Sequence, residues 1–482
     1  MDSELRTWAA ALARGDAERG ALETLGCLDP ERASQQLRRA CVHPDLAAGS
    51  ERWLPSLLLS ARPGAGAEYL AELAERHRQA LRRPLDLDAL PCLPRLLGSS
   101  DFLARVLLRH PNWCEELLGA RPAAPETTPI EPDWTPLRIA KYKGLLRVAA
   151  RDLCGRPFEE SLGELSRLAD RCLEAALARA AQEAQVAPPA LFALGKLGGN
   201  ELNFSSDVDL LFICENSGEG QEPPELAAQI ELIRCFKKHL EVASEDGFGY
   251  RVDLELRPEG RTGVIVNSVD AALSYYESFG AEWERQMLIR LRFVAGPRRP
   301  AEAFERGLRP FVWRRSVGPD AILGVRAMKR RIEDERLEAG RDLEADLKEG
   351  PGGIRDVEFL VQAFQLLFGG RERSLRTGNV LEALGALERL GLLDASVTAE
   401  LSEAYLWLRR AEHALQMVEE RQTQAFPRDA AQQLGLARRL GYPQLEAARA
   451  RDALLDDWTR VRARVRTHFE NLVLVARDAD VV

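Results

Sequence analysis

No apolar run in this 482-residue sequence approaches the ~20 residues needed to cross a bilayer. The N-terminus, MDSELRTWAAALARGDAERG, carries acids and has no apolar core, so it does not read as a secretory leader. The eight cysteines contain no CxxC pair and read as buried, reduced thiols of a cytoplasmic protein. Six scattered histidines without an HExxH give no expectation of a structural zinc site. The net charge of −9 supplies no general positive field, so a nucleic-acid partner would need a local basic patch. The one arginine-rich candidate, RVRARVRTHF (460–469), has apolar residues at helical spacing and reads as an amphipathic helix. Membrane spanning and nucleic-acid binding are therefore not expected, and no solenoid repeat is visible.

Aromatics make up only 6% of the chain, while Ala, Leu, Arg and Glu are plentiful, a mixture that favours helices. The length suits two or three domains. Residues 1–130 read as a helical region, with Ser100 or Asp101 as an N-cap and Pro111 as a stop. ARPAAPETTPIEPDWTP (120–136) holds five prolines and reads as a linker. A catalytic domain is expected over 131–310 and a helical bundle over 311–482. The fold class expected is α+β, predominantly helical, with a small mixed sheet.

The texture changes at PALFALGKLGGNELNFSSDVDLLFIC (189–214), where short apolar runs are bounded by Gly, Asn and Ser. Tyr250 to Arg257 then alternates apolar and charged residues, as a strand does. On a strand, Asp207 and Asp209 project from one face about 6–7 Å apart. Two carboxylates that close repel unless a cation lies between them. Asp253, on the charged face of the later strand, is positioned to join them. Gly198 and Gly199 let backbone approach an anion closely, and Ser205 and Ser206 add donors on the same turn. Three acids beside a glycine-lined loop suit Mg²⁺, and two such ions suit nucleotidyl transfer. For a lone DxD, by contrast, the favoured reading would be a strand start whose acids cap the preceding serine turn.

With these residues in view, GKLGGNELNFSSDVDLLF resembles the signature of the bacterial glutamine synthetase adenylyltransferase/adenylyl-removing enzymes, within the nucleotidyltransferase superfamily. YRVDLELRPEGRTG (250–263), YYESFGAEWERQMLIRLRFVAG (275–296) and DLKEGPGGIRDVEFLVQAFQLLFGGRERSLRT (346–377) extend the resemblance over roughly residues 90–480. The resemblance implies a nucleotidyltransferase fold with Asp207, Asp209 and Asp253 as catalytic metal ligands for two Mg²⁺ ions. Gly198 and Gly199 match the phosphate loop. Lys196 either steadies phosphate charge or flanks the strand, and Arg257 either contacts phosphate or makes a surface ion pair.

Family members usually consist of two homologous halves, one removing AMP from a tyrosine of glutamine synthetase with phosphate, giving ADP, the other attaching AMP from ATP. GGNELNFSSDVDL is more similar to the removing half, and no second catalytic copy follows in this sequence. Removal is therefore the expected reaction. The alternatives are ATP-dependent addition and a non-catalytic regulatory paralogue. Glutamine synthetase is the implied protein substrate and the nitrogen-signalling protein PII a further implied partner. Glu255 departs from the family strand, which more often carries Arg there. Its charge would either add a ligand or weaken the binding of an anionic substrate. Gly350, Gly352 and Gly353 read as a hinge, with Arg355 and Glu358 near the cleft.

Overall fold

The computed structural model describes residues 2–14, 19–118, 128–216, 225–315, 320–340 and 342–475. Residues 120–127 of the expected linker and the terminal 476–482 lie outside that set. The chain forms two units, one of residues 1–127, 142–161 and 409–461, the other of 128–141, 162–408 and 462–482.

The named elements of the first unit are all helices, joined by turns and loops, among its described residues. Apolar residues at helical spacing bury one stripe of helix Pro63–Leu81, with Leu70, Leu73 and Ala74 inward and His77 buried on the same side. Ser100 is the cap of Asp101–Arg109, its hydroxyl accepting from Leu103 N at 3.1 Å. Two buried arginines are satisfied by main-chain carbonyls: Arg438 donates to Leu445 O at 2.8 Å, and Arg439 to Ser99 O at 2.7 Å.

The expectation of uniformly reduced thiols is corrected here. Cys92 and Cys154 form a disulfide with Cα atoms 6.1 Å apart, and six cysteines remain free. The two cysteines are 62 residues apart in sequence, so no local spacing announces the pair. Protein purified without reductant and then denatured should show six reactive thiols, rising to eight after reduction. Eight from the outset would remove the crosslink.

The second unit contains the sheet. Its strands are β1 (Ala190–Ala193), β2 (Val208–Cys214), β3 (Val252–Asp253), β4 (Val266–Ser268) and β5 (Arg292–Ala295). The order is β3-β2-β1-β5, with β4 also on β2. β1 runs antiparallel to both β2 and β5, while β3 and β4 lie parallel to β2, at its beginning and its end. Phe192 stands opposite Leu211 and Leu191 opposite Phe212, so the two phenylalanines point to opposite faces. Phe192 packs on Phe304 of helix Arg298–Val312, and Phe212 on Phe236 of helix Leu226–Glu241. Both faces are thus covered, which is why β1 and β2 read as continuous apolar runs.

The expected strand over Tyr250–Leu256 shrinks to Val252–Asp253. Asp253 Oδ1 accepts from Glu255 N at 2.7 Å, bending the chain straight after the acid. Among the described residues, no helix is long and apolar enough to cross a membrane.

Candidate active site

The start of β2 is organised by one arginine. Arg251 donates from Nη2 to Ser205 O at 2.6 Å and to Ser205 Oγ at 3.2 Å, and from Nε to Asp207 Oδ1. Its carbonyl accepts from Val208 N at 2.9 Å, the first rung of the β2–β3 ladder. Ser206 Oγ accepts from Asn203 N at 3.2 Å and closes the preceding turn. The two serines therefore shape the approach to the acids through bonds within the chain.

Asp209 and Asp253 are register partners in the parallel β2–β3 pair, so their side chains leave neighbouring strands on the same face. Burial pushes the Asp209 carboxyl up to about 6, and the carboxylates of Asp253 and Asp207 push the same way. Lys348 and Lys196 oppose the shift. A group of acids this unfavourable to its own charge fits a cation, and its all-oxygen donors suit Mg²⁺ rather than a soft metal.

Gly195 brings β1 against this group. Its φ is +54°, and a Cβ there would lie 2.1 Å from Asp209 Oδ2. Alanine at this position meets both a left-handed backbone and the carboxylate it would displace. Gly195→Ala should therefore lower turnover by on the order of 100-fold or more, since small misplacements of reacting groups cost that much. Steady-state rates would check this, with circular dichroism confirming that helix content is kept.

Gly198 and Gly199 lie further along the same turn, where Gly198 N donates to Leu194 O and Gly199 N to Gly195 O. A Cβ on Gly198 would fall 1.8 Å from Arg290 O, so this glycine admits a neighbouring backbone. Lys196 sits between them and Gly195, within electrostatic reach of Asp209. Arg257 donates to Leu254 O at 2.6 Å, Gly263 O at 2.9 Å and Arg261 O at 3.0 Å, clamping its own loop. Glu255 pairs with Arg261 at 2.7 Å, and both are exposed.

On helix Ile354–Phe368, straight after the glycine-rich turn, Arg355 pairs with Glu349 at 3.0 Å and Glu358 with Arg290 at 3.2 Å. Gly352 N donates to Asp356 Oδ2 at 2.7 Å, so helix Ile354–Phe368 answers its own N-terminus.

Three features escaped the reading of the sequence. Lys348 reaches Asp209 electrostatically from a turn built on Asp346, whose Oδ1 accepts from Lys348 N at 2.8 Å. Glu201 lies under the glycine turn, with its carboxylate accepting from Val380 N at 3.2 Å, Tyr405 OH at 3.1 Å and Arg290 Nη2 at 3.4 Å. Burial works against the charge of Arg290, yet Glu358 and Glu201 raise its pKa above the ordinary arginine value. Finally, Val252 is clasped by helix Leu226–Glu241: its N–H donates to Glu241 Oε1 at 3.0 Å, and its carbonyl accepts from Lys237 Nζ. No local pattern announces these contacts.

Residues 90–307 match the family model described as glutamate-ammonia ligase adenylyltransferase. Residues 326–473 match the model described as GlnD PII-uridylyltransferase. A curated bifunctional glutamine synthetase adenylyltransferase/adenylyl-removing enzyme of Stenotrophomonas maltophilia (strain K279a) is 40% identical over 413 residues, covering 81% of this chain and 44% of the relative. The enzyme of the same name from Thioalkalivibrio sulfidiphilus (strain HL-EbGR7) is 36% identical over 462 residues, covering 87% of this chain and 46% of the relative. The chain thus spans less than half the length of these relatives. Residues 90–307, which hold both the glycine turn and the paired acids, thus belong to the glutamate-ammonia ligase adenylyltransferase family.

Proposed function

We propose that this chain is a metal-dependent nucleotidyltransferase that removes AMP from an adenylylated tyrosine of glutamine synthetase by phosphorolysis, releasing ADP. The observation that carries this reading is the register pairing of Asp209 with Asp253 beside Gly195. Asp207, Asp209 and Asp253 would hold two Mg²⁺ ions, which when bound neutralise charge building on the transferred phosphoryl group. Lys196 and Lys348 add positive potential where anions must gather. A phosphate oxygen bonds to the AMP phosphorus as the bond to the tyrosyl oxygen breaks. Phosphate is already anionic at neutral pH, so no protein base is required. Arg251 holds Asp207 and the serine turn in place throughout.

The names of the relatives carry both removal and addition of the adenylyl group. The likeness of NFSSD to the removing half favours phosphate as co-substrate. The reverse assignment, ATP-dependent addition, uses the same acids. Incubation with AMP-modified and unmodified glutamine synthetase, with Mg²⁺ and either phosphate or ATP, separates them. Phosphate-dependent release of ADP is expected, and ATP-dependent labelling without release would reverse the assignment. Neither activity, in folded protein, would favour a non-catalytic regulatory role. The match of residues 326–473 to an enzyme named for PII supports PII as a further partner. The setting is the cytoplasm, where phosphate, ATP and ADP are drawn on. Neither nucleic acid nor membrane enters this reading.

A further inference from the structure

Away from the acidic site, three side chains of different chemistry converge from helices Phe158–Ala184 and Leu226–Glu241. They are Glu183, Cys235 and His239, and their ligating atoms all lie within 4.8 Å of one another. Cys235 and His239 are four residues apart and so share one face of their helix. Glu183 comes from the facing helix, and Cys235 Sγ donates to its Oε2 at 3.5 Å. The surrounding side chains fix this arrangement. Trp134 stacks on the His239 ring at 4.6 Å between centroids, with the planes only 9° apart. The same indole donates to Glu183 Oε1 at 3.0 Å, and Arg179 donates to that oxygen at 2.8 Å. One carboxylate oxygen is thus held from outside while the other is turned to the thiol.

We propose that Glu183, Cys235 and His239 form a zinc-binding site. Zinc takes sulfur at about 2.3 Å and oxygen at about 2.0–2.2 Å, so tetrahedral angles place those two ligands about 3.5–3.7 Å apart. The sulfur–oxygen separation of 3.5 Å already meets that requirement. With all three ligand atoms within 4.8 Å of one another, the imidazole nitrogen needs to close by about 1.4 Å at most to reach tetrahedral spacing. Thiolate with imidazole selects zinc over Mg²⁺, which wants oxygen alone. Glu183 is exposed and the other two are half-buried, so water takes the fourth position and the ion has an entry path. Binding replaces the thiol proton with the metal: Zn²⁺ and Cys–SH give Zn–S–Cys, and one proton leaves to solvent. Trp134 and Arg179 act as outer partners that orient the carboxylate and the ring. The ion would tie the two helices together next to the last turn that clasps Val252, the neighbour of Asp253.

The test uses the full chain, stripped of metal and titrated first with Co²⁺ and then with Zn²⁺. One equivalent of Co²⁺ should give a thiolate-to-cobalt charge-transfer band in the near ultraviolet, which Zn²⁺ abolishes as about one proton is released. Cys235→Ser should lose the band, and His239→Gln should weaken Zn²⁺ binding by more than the roughly 10–100-fold typical of an outer partner. Trp134→Phe should fall within that smaller range. Asp253→Asn should leave the band unchanged, separating this site from the acidic one. Circular dichroism confirms that each variant is folded. A band that survives Cys235→Ser, or no band in the unaltered chain, overturns the proposal.

Discussion

Asp209→Asn should abolish turnover and, in the absence of divalent cations, raise the thermal midpoint rather than lower it. The two effects share one cause. Asp209 is held between Asp253 and Asp207 in a buried position that lifts its carboxyl to about 6. Its folded pKa is raised above its unfolded value, so stability is lost as pH climbs from the ordinary carboxylate value to about 6 and then levels off, leaving the ionised form destabilising at pH 7. That rise from the ordinary carboxylate value corresponds to roughly 3 kcal/mol, an upper bound on what the neutral amide would restore at pH 7. On the proposed assignment the same change takes away a central metal ligand, which should cost several kcal/mol of barrier, on the order of a thousand-fold or more in rate. The checks are rates at saturating Mg²⁺ and thermal melts in chelator. Near-normal rates would dismiss the acid cluster as the reacting site, and a lowered midpoint would show that its charge is already balanced.

A large loss of stability is expected from Glu201→Ala. Arg290 is fully buried between Glu201 and Glu358, and removing one partner of a buried pair typically costs about 3–5 kcal/mol. Val380 N and Tyr405 OH would also lose their acceptor. Glu201→Gln keeps an oxygen for those two groups and should cost clearly less. Urea unfolding followed by circular dichroism would compare them. Equal, small effects would mean that Glu358 alone satisfies Arg290. Activity should fall alongside stability in the alanine variant, because Asn379 Nδ2 donates to Gly199 O at 3.2 Å from the loop Glu201 anchors.

β1 and β2 were legible because both their faces are buried, leaving apolar runs cut off by glycine and asparagine. The acids were legible because two carboxylates at the head of such a run are physically awkward. β4 and β5, of three and four residues, are too short to display any period. The charged alternation after Tyr250 misled, since Asp253 bends the chain and Arg257 and Glu255 find partners within their own loop. Lys348 was invisible for another reason: it stands 139 residues (348 − 209) from the aspartate it influences. The histidine count hid the Cys235–His239 spacing, because a third ligand on another helix leaves no contiguous motif.

The clasp on Val252 bears on how this sheet meets other chains. β3 is an outermost strand, and such an edge ordinarily presents free amide and carbonyl groups on which a foreign strand can grow. Here the N–H and carbonyl of Val252 are both taken by the side chains of Glu241 and Lys237, which also pair with each other at 3.1 Å. Arg251 O is already committed to β2 on the inner side. With two residues and no outward backbone group left at Val252, the border nearest the acids gives an aggregating strand nothing to read, so the acid cluster can stay open without becoming adhesive.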